Sequence, residues 1–279
     1  MKHLSTEQRT CESDFPRRVL GLGPSPSPRP SPCPTAITVF IPPKSVLSTS
    51  TSTSTSGKSV TLSSFQAHGM ALGERNGFFD WQVFFPSLAG LLEKVEVINL
   101  ELAEIADGSA RWHDWPETSL YRGAGESWKV IPFCYTFPAD TGVTQWVESS
   151  CNILPRTSSI LRELPGLRTA LLSKMGPNTS LTPHDGWREI SNHVLRCHLP
   201  LKLPGRCVSG VSVGDVVRFH EEGDFLCFDD ALVHSGFNRH PTAARTVLIF
   251  DLVRPAGVPL GQASGGATAE LENLMAYFH

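Results

Sequence analysis

The sequence predicts a mainly β fold with flanking helices, arranged as a jelly roll. After Arg168 the chain contains five short apolar segments that are separated by Gly- and Pro-containing turns: TALLSKM, HVLRCHLPLKL, CVSGVSVGDVVRF, DFLCFDD and RTVLIFDLV. Several short strands at such spacing are typical of a sandwich or barrel. Two segments with helical patterns precede the strands, so we expect helices to flank the sheets.

The first 62 residues have the composition of a disordered tail. They contain PSPSPRPSPCP followed by STSTSTSTS, with too few large apolar side chains to offset the entropy of ordering. We therefore predict a low-complexity tail over 1–62 and one globular domain over 63–279. The tail also carries several arginines among serines, so an organelle transit peptide stays open as an alternative, although Glu7, Glu12 and Asp14 count against it.

Charge and cysteine usage exclude several classes of partner. The formal net charge is −3, and the basic residues are scattered, which argues against a nucleic-acid-binding surface. The seven cysteines include no CxxC pair, a pattern that suits a reducing compartment. No apolar run approaches the roughly eighteen residues of a membrane span. We expect a cytoplasmic protein, with the organelle-targeted alternative above.

Two upstream segments have the periodicity of scaffold helices. Between Leu88 and Ile105 apolar residues recur at spacings of three and four, and Pro86 and Ser87 mark the start of this helix. A second, short helix is expected between Pro155 and Pro165. An apolar stripe of this kind is usually core packing, so neither helix is assigned any chemistry.

The strand HVLRCHLPL is expected to place two basic side chains on one face. Side chains alternate between the two faces of a strand. One face would carry Val194, Arg196, His198 and Pro200, and the other would carry Leu195, Cys197 and Leu199. Arg196 and His198 should therefore point the same way.

Six polar residues of these strands could meet at one point: Ser173, His184, Arg196, His198, His234 and Arg245. Two neutral imidazoles on different strands could hold iron, zinc or copper, and an arginine fork suits a carboxylate. The ordinary alternative is that the histidines are turn or surface residues and that Arg245 pairs with Asp229 or Asp230. No HEXXH helix, phosphate loop, GxSxG elbow or paired-cysteine zinc site competes for the role.

The order of these residues resembles the aspartyl/asparaginyl β-hydroxylase family. The motifs are a Ser, a PH-x-G, an N-x-x-x-R-x-H-L, an F-D-D-x-x-x-H and a following strand Arg, within a similarity that extends over about 78–256. The resemblance implies a double-stranded β-helix of the cupin-like type. It also implies an Fe(II)- and 2-oxoglutarate-dependent dioxygenase that uses O₂ to hydroxylate an aspartyl/asparaginyl or related amino-acid, peptide or acyl substrate.

Carried over by position, the resemblance assigns His184 and His234 to iron. It assigns 2-oxoglutarate contacts to Ser173, Arg196, His198 and Arg245. Most oxygenases of the wider superfamily add a carboxylate two residues after the first histidine, and here that position is Gly186. Asp185 is not counted as a ligand, because neighbouring residues on an extended chain point to opposite faces.

The sequence leaves two alternatives open and departs from the family at one place. The interval between His184 and Asn192 looks longer than in the animal members and adds Trp187, Arg188 and Glu189 near the expected pocket mouth. The alternatives are a non-catalytic jelly-roll protein that binds an anion, and a halogenase that uses the same iron site. His193, His220 and His240 are expected to tolerate replacement by alanine, the last two because they lie in turn-like stretches.

Overall fold

The computed structural model describes residues 74–105, 112–122 and 127–266, together with residues 269, 272, 273 and 276. The predicted disordered tail, 1–62, lies outside the described residues, as does the predicted domain boundary at residue 63. Within the described part, no helix has both the length and the apolar character needed to cross a membrane.

Fourteen strands occur in the described chain. They are β1 (Glu74–Arg75), β2 (Phe78–Phe79), β3 (His113–Asp114), β4 (Tyr121–Arg122), β5 (Trp128–Tyr135), β6 (Gln145–Trp146), β7 (Leu167–Met175), β8 (Thr179–Leu181), β9 (Val194–Lys202), β10 (Ser209–Val213), β11 (Val216–Phe219), β12 (Leu226–Phe228), β13 (His234–Asn238) and β14 (Arg245–Val253). The five predicted segments correspond to β7, β9, β10 with β11, β12 and β14. The short strands β8 and β13, which carry part of the site, were not predicted.

The described helices are short and mostly precede β7. They are α1 (Trp81–Phe84), α2 (Ala89–Leu92), α3 (Val95–Glu104), α4 (Glu148–Ile153), α5 (Pro155–Arg162) and α6 (Arg188–Ser191), with 3₁₀ turns at Pro86–Leu88 and Thr118–Leu120. The helix predicted to begin at Pro86 does begin there, as a 3₁₀ turn that continues into α2, but a break at Glu93 and Lys94 separates α2 from α3. The predicted short helix after Pro155 is α5.

The strands form two antiparallel sheets. The larger runs in the order β1-β2-β12-β9-β14-β7-β5-β3, with β6 paired to β5, and the smaller in the order β11-β10-β13-β8-β4. Side chains from both sheets, Phe78 and Phe228 from the larger and Val211 and Val213 from the smaller, pack into one apolar cluster. The predicted jelly roll with flanking helices is therefore confirmed.

The outer face of the larger sheet carries the main core. Leu195, Cys197 and Leu199 of β9 are fully buried in one cluster with helix residues such as Leu88 and Ile98. The other face of β9 carries Arg196 and His198, as the alternation predicts. This arrangement leaves the polar face of β9 directed away from the helices, towards the space between the sheets.

A buried carboxylate ties the helices to one another. The Glu101 side chain of α3 accepts hydrogen bonds from the backbone N–H groups of Arg156 and Thr157, each at 2.7 Å. These are amides of the first turn of α5, which have no partner within their own helix. Glu101 thereby caps α5 and fixes the helical layer that covers the larger sheet.

Candidate metal and anion site

The structure brings His184 and His234 side by side next to the paired strands β8 and β13 of the smaller sheet. His234 begins β13 and His184 follows β8, and their backbones exchange two hydrogen bonds of 3.0 and 2.9 Å. Their ring centroids lie 4.5 Å apart. Two histidines separated by fifty residues in sequence are thus held as a pair by the pairing of the strands that carry them.

Hydrogen bonds to the backbone orient both imidazoles. The Nδ1 atom of His184 lies 2.6 Å from the carbonyl oxygen of Thr182, and Nδ1 of His234 lies 2.9 Å from that of Leu232. A carbonyl oxygen only accepts, so each Nδ1 must carry the proton. In the neutral ring each Nε2 then presents a lone pair, which is the form in which histidine binds a metal ion.

Asp230 adds a carboxylate to this pair. Its Oδ1 atom lies 3.2 Å from Nε2 of His234, and its side chain also accepts hydrogen bonds from the Ser191 hydroxyl and from Nη1 of Arg196. Burial lowers the pKa of His234, although Asp230 opposes the shift. A neutral imidazole protonated at Nδ1 would direct a lone pair at the carboxylate, and a cation between the two acceptors would relieve that repulsion.

Gly186 has no room for a side chain. A Cβ atom built there would lie 1.9 Å from the Ser191 hydroxyl oxygen and 2.2 Å from Oδ2 of Asp230. The space that a side chain at position 186 would need is therefore filled by the Ser191–Asp230 hydrogen bond. Among the described residues, no group of three or more His, Cys, Asp or Glu side chains has the arrangement of a complete metal site.

Arg245 and Ser173 meet on neighbouring strands of the larger sheet. Nη1 of Arg245 donates to the Ser173 hydroxyl at 3.0 Å and to the Ser173 carbonyl at 3.1 Å. Trp128 of β5 donates its indole N–H to the same hydroxyl at 3.0 Å. Three strands, β5, β7 and β14, thus position one guanidinium.

Arg245 is a buried cation without a carboxylate partner among the described residues. Its side chain is 1% exposed, its Nε atom has no hydrogen-bond partner there, and burial lowers its pKa to about 9. Asp229 pairs with Arg254 and Asp230 pairs with Arg196, so neither provides the partner considered from sequence. A buried guanidinium of this kind suits an anionic ligand in place of a carboxylate side chain of the protein itself.

Arg196 is placed differently from Arg245. Its Nε and Nη2 atoms donate to the two carboxylate oxygens of Asp251 at 2.8 and 3.0 Å, and its Nη1 atom donates to Asp230. Burial disfavours its charge, but these two carboxylates more than compensate and raise its pKa. Arg196 therefore lines the site already engaged with two carboxylates, which the sequence analysis did not anticipate.

His198 lies in a chain of buried polar groups. Its Nδ1 atom lies 3.1 Å from Nε2 of His220, and Nδ1 of His220 lies 3.3 Å from the Ser209 hydroxyl. His220 is 2% exposed. The prediction that His220 lies in a turn-like stretch is wrong, because its backbone N–H donates to the Ser209 carbonyl and continues the pairing of β10 with β11 past Phe219.

A cavity of about 210 Å³ opens beside the histidine pair. His184, Arg196 and Asp230 contribute polar groups, and the rest of the lining is mainly apolar, including Trp115, Leu120, Trp128, Leu171, Trp187 and Ile249. The indole of Trp115 stacks on Trp128, with centroids 4.6 Å apart, and lies parallel to Trp187 at 6.0 Å. Trp187, from the segment that looks longer than in the animal members, does lie at this cavity.

The residues missed from sequence act mainly through partners that are distant along the chain. His220 contacts His198, and Asp230 contacts Arg196 as well as its near neighbour His234. The alternation of Val216, Arg218 and His220 along an extended strand could have indicated that His220 points inward, since Val216 and Arg218 both contact the cluster around Phe78. Asp185 accepts hydrogen bonds from the backbone N–H and the hydroxyl of Ser264, and it lines the same cavity as His184.

Two relatives with similar sequences have names that refer to a hydroxylase or a hydroxylase domain. The chain is 35% identical over 113 residues to the ornithine lipid ester-linked acyl 2-hydroxylase of Rhizobium tropici, covering 40% of this chain and 39% of that protein. It is 34% identical over 125 residues to the aspartate beta-hydroxylase domain-containing protein 2 of Xenopus tropicalis, covering 41% of this chain and 31% of that protein. The similarity thus spans about a third of the relatives' length.

One similar solved structure is an oxidoreductase of the 2OG-Fe(II) oxygenase family from Burkholderia pseudomallei. It is 14% identical, with a TM-score of 0.37, and the alignment covers 62% of this chain and 93% of that one. The family model described as Aspartyl/Asparaginyl beta-hydroxylase matches residues 93–255, more than half of the 279 residues. The matched range includes both histidines, Ser173 and Arg245. The chain therefore belongs to the aspartyl/asparaginyl β-hydroxylase family.

Proposed function

We propose that this protein is an Fe(II)- and 2-oxoglutarate-dependent dioxygenase that hydroxylates an amino-acid, peptide or acyl substrate. One observation carries the proposal. Two histidines with backbone-bonded Nδ1 atoms lie beside a cavity that Ile249 of β14 also lines. Arg245, a buried arginine that has no carboxylate partner among the described residues, precedes Ile249 by four positions on the same strand. The first group suits a divalent metal, and the second suits a dicarboxylic co-substrate.

His184 and His234 would hold the metal ion through Nε2. Their Nδ1 hydrogen bonds to Thr182 and Leu232 fix both rings before any metal arrives, so little rotamer freedom is lost on binding. Asp230 lies next to His234 and would contribute negative charge beside the ion. When bound, Fe(II) supplies the oxidative chemistry, in which O₂ and 2-oxoglutarate give succinate, CO₂ and a hydroxylated substrate carbon.

Arg245 and Ser173 would bind the distal carboxylate of 2-oxoglutarate. The unpartnered Nε atom and the remaining N–H donors of Arg245 suit a carboxylate, and the Ser173 hydroxyl already contacts this guanidinium. Trp128 covers the pair by donating to Ser173. The surrounding aromatic wall would exclude water and strengthen these charge-assisted hydrogen bonds. Arg196 and His198 are the candidate partners for the other end of the co-substrate.

The cavity supports a substrate with a neutral, apolar reacting portion. Its lining is dominated by Trp, Leu and Ile side chains, and its charged members are three carboxylates, Glu117, Asp185 and Asp230, against Arg196. A free aspartyl carboxylate would meet net negative charge there, whereas an acyl chain or an uncharged side chain would bury apolar surface. The name of the Rhizobium tropici relative, an acyl 2-hydroxylase, supports the acyl class.

Two observations favour hydroxylation over the alternatives. A halogenase needs space and a favourable potential for chloride beside the metal, but the Ser191–Asp230 pair fills the space at Gly186 and Asp230 is itself an anion. A non-catalytic anion-binding protein would need only the Arg245 pocket. The backbone anchoring of both histidines supports a retained metal site.

Succinate formation tests this proposal. Purified protein with Fe(II), 2-oxoglutarate and O₂ should release succinate, and a panel of acyl, peptide and amino-acid substrates should stimulate that release, with acyl substrates stimulating it most. Each reaction is repeated with added chloride and analysed by mass spectrometry. A gain of one oxygen atom in the product supports hydroxylation, and a chlorinated product or no succinate with any substrate contradicts it.

A further inference from the structure

A buried chain of hydrogen bonds leads from Ser209 through His220 to His198. Ser209 and His220 are 1% and 2% exposed, and His198 is 4% exposed. The distances are 3.3 Å from the Ser209 hydroxyl to Nδ1 of His220 and 3.1 Å from Nε2 of His220 to Nδ1 of His198. Each group is therefore within hydrogen-bonding distance of the next. The direction of these hydrogen bonds depends on which nitrogen of each histidine carries a proton.

Burial favours the neutral form of both histidines in this hydrogen-bonded series. Burial lowers the pKa of His198 and of His220 well below the usual value, and the positive charge of Arg245 adds to the shift in each. A neutral imidazole has one N–H donor and one acceptor nitrogen. The chain therefore has two possible directions, and the direction decides which nitrogen of His198 carries its proton.

The Ser209 hydroxyl selects one direction. Among the described residues, Nδ1 of His220 is the one hydrogen-bond partner recorded for this buried hydroxyl. If the hydroxyl donates to Nδ1 of His220, then Nε2–H of His220 donates to Nδ1 of His198. In the reverse direction the Ser209 proton would be buried without an acceptor, which typically costs about 1–3 kcal/mol.

The selected direction leaves His198 with its proton on Nε2. His198 shares its face of β9 with Arg196 and lies opposite Ile249 of β14, four residues from Arg245 on the same face of that strand. An Nε2–H donor on this face suits one end of a dicarboxylate whose other end Arg245 binds. A lone pair at the same position would repel that anion.

We propose that Ser209 and His220 are positioning residues that hold His198 as an Nε2–H donor facing the anion site. The identity of the anion as 2-oxoglutarate rests on the proposed function, but the tautomer of His198 does not. Neither residue would contact the co-substrate. Both would act by fixing the proton and the ring orientation of a residue that does.

The tautomer can be read by ¹⁵N NMR on the full chain labelled at histidine, recorded without metal or co-substrate. The chain has ten histidines, and His198→Gln assigns the resonances of interest. We expect His198 of the unsubstituted protein to be protonated at Nε2 and not at Nδ1. In Ser209→Ala the direction is no longer selected, so a mixture of the two tautomers is expected. Ser158→Ala is the control, because it removes the buried hydroxyl of a serine on a different element, α5. It should leave the His198 spectrum unchanged.

Co-substrate affinity provides the second readout. Titration of 2-oxoglutarate into Mn(II)-loaded protein under nitrogen should show affinity about tenfold weaker for His220→Leu, the effect of losing about one hydrogen bond. His220→Gln should recover most of the affinity, because its amide can still donate to Nδ1 of His198. If His220→Leu fails to fold, Ser209→Ala provides the comparison.

The two readouts separate the failure of this inference from the failure of the proposed function. A His198 protonated at Nδ1 in the unsubstituted protein overturns the inference. So does a Ser209→Ala protein with both the tautomer and the 2-oxoglutarate affinity of the parent. If the unsubstituted protein binds no 2-oxoglutarate while His198 is protonated at Nε2, the proposed function fails and the assignment of His198 as a donor held by Ser209 and His220 is supported.

Discussion

Replacing His234 with alanine should remove metal binding and succinate formation together. Loss of a residue that only supports a ligand typically lowers metal affinity 10–100-fold, so loss of one of two histidine ligands should exceed about 100-fold. The same result is expected for His184→Ala. Binding is measured by calorimetric titration of Mn(II) under nitrogen, together with succinate release in the presence of Fe(II).

His193→Ala is the matched control for these variants. His193 is half-buried and near the site in sequence, but it lies between α6 and β9 and takes no part in the bridge that joins His184 to His234. It should keep the parent affinity for Mn(II), in agreement with the tolerance expected from sequence. Parent-like Mn(II) binding by His234→Ala would show that the two histidines do not form the metal site.

Replacing Arg245 with lysine should weaken 2-oxoglutarate binding much more than metal binding. Lysine keeps the charge but loses the planar fork, and a poorly matched buried carboxylate costs on the order of 2 kcal/mol, about thirtyfold in affinity. Arg239→Lys is the control, because the guanidinium of Arg239 lies over the Phe237 ring, 4.3 Å from its centroid. If Arg245→Lys binds 2-oxoglutarate as tightly as the parent does, Arg245 is not the residue that binds the distal carboxylate of 2-oxoglutarate.

Arg245→Met gives an independent signature of the same site. In the described structure Arg245 is a buried cation without a carboxylate, so its burial costs free energy in the ligand-free protein. Methionine fills a similar volume without the charge. We expect ligand-free Arg245→Met to unfold at the same or a higher temperature than the parent while losing 2-oxoglutarate binding. A marked loss of thermal stability would instead indicate that Arg245 is part of the folding core.

Arg196 illustrates what sequence cannot provide. Alternation along β9 correctly placed Arg196 and His198 on one face, but Asp251 is 55 residues away and meets Arg196 only through the register of β9 with β14. The sequence predicts that Arg196→Met leaves the fold intact. The structure changes this expectation, since the substitution would leave Asp230 and Asp251 buried without their cation.

The parts of the site that follow local rules were predictable. Strand periodicity predicted β7, β9 and β14, and the resemblance to the hydroxylase family drew attention to His184, His234, Ser173 and Arg245, which the structure brings together as two pairs. The pairing of β8 with β13 depends on strands of three and five residues, whose apolar content is too small to give a clear signal. His220 was missed because it directly precedes the charged turn from Glu221 to Gly223. The sequence therefore suggested that His220 belongs to the turn and not to the strand before it, whose alternate side chains point inward.

The central claim is that a metal held by the two histidines and a carboxylate site at Arg245 together bind 2-oxoglutarate. Calorimetric titration of 2-oxoglutarate into the unsubstituted protein under nitrogen, with and without Mn(II), tests it most directly. We expect saturable binding of one 2-oxoglutarate per chain that is strong with Mn(II) and at least about tenfold weaker without it, because one end of the co-substrate would bind the metal and the other Arg245. Absence of 2-oxoglutarate binding in the presence of Mn(II), or an affinity that is the same with and without Mn(II), would contradict the account.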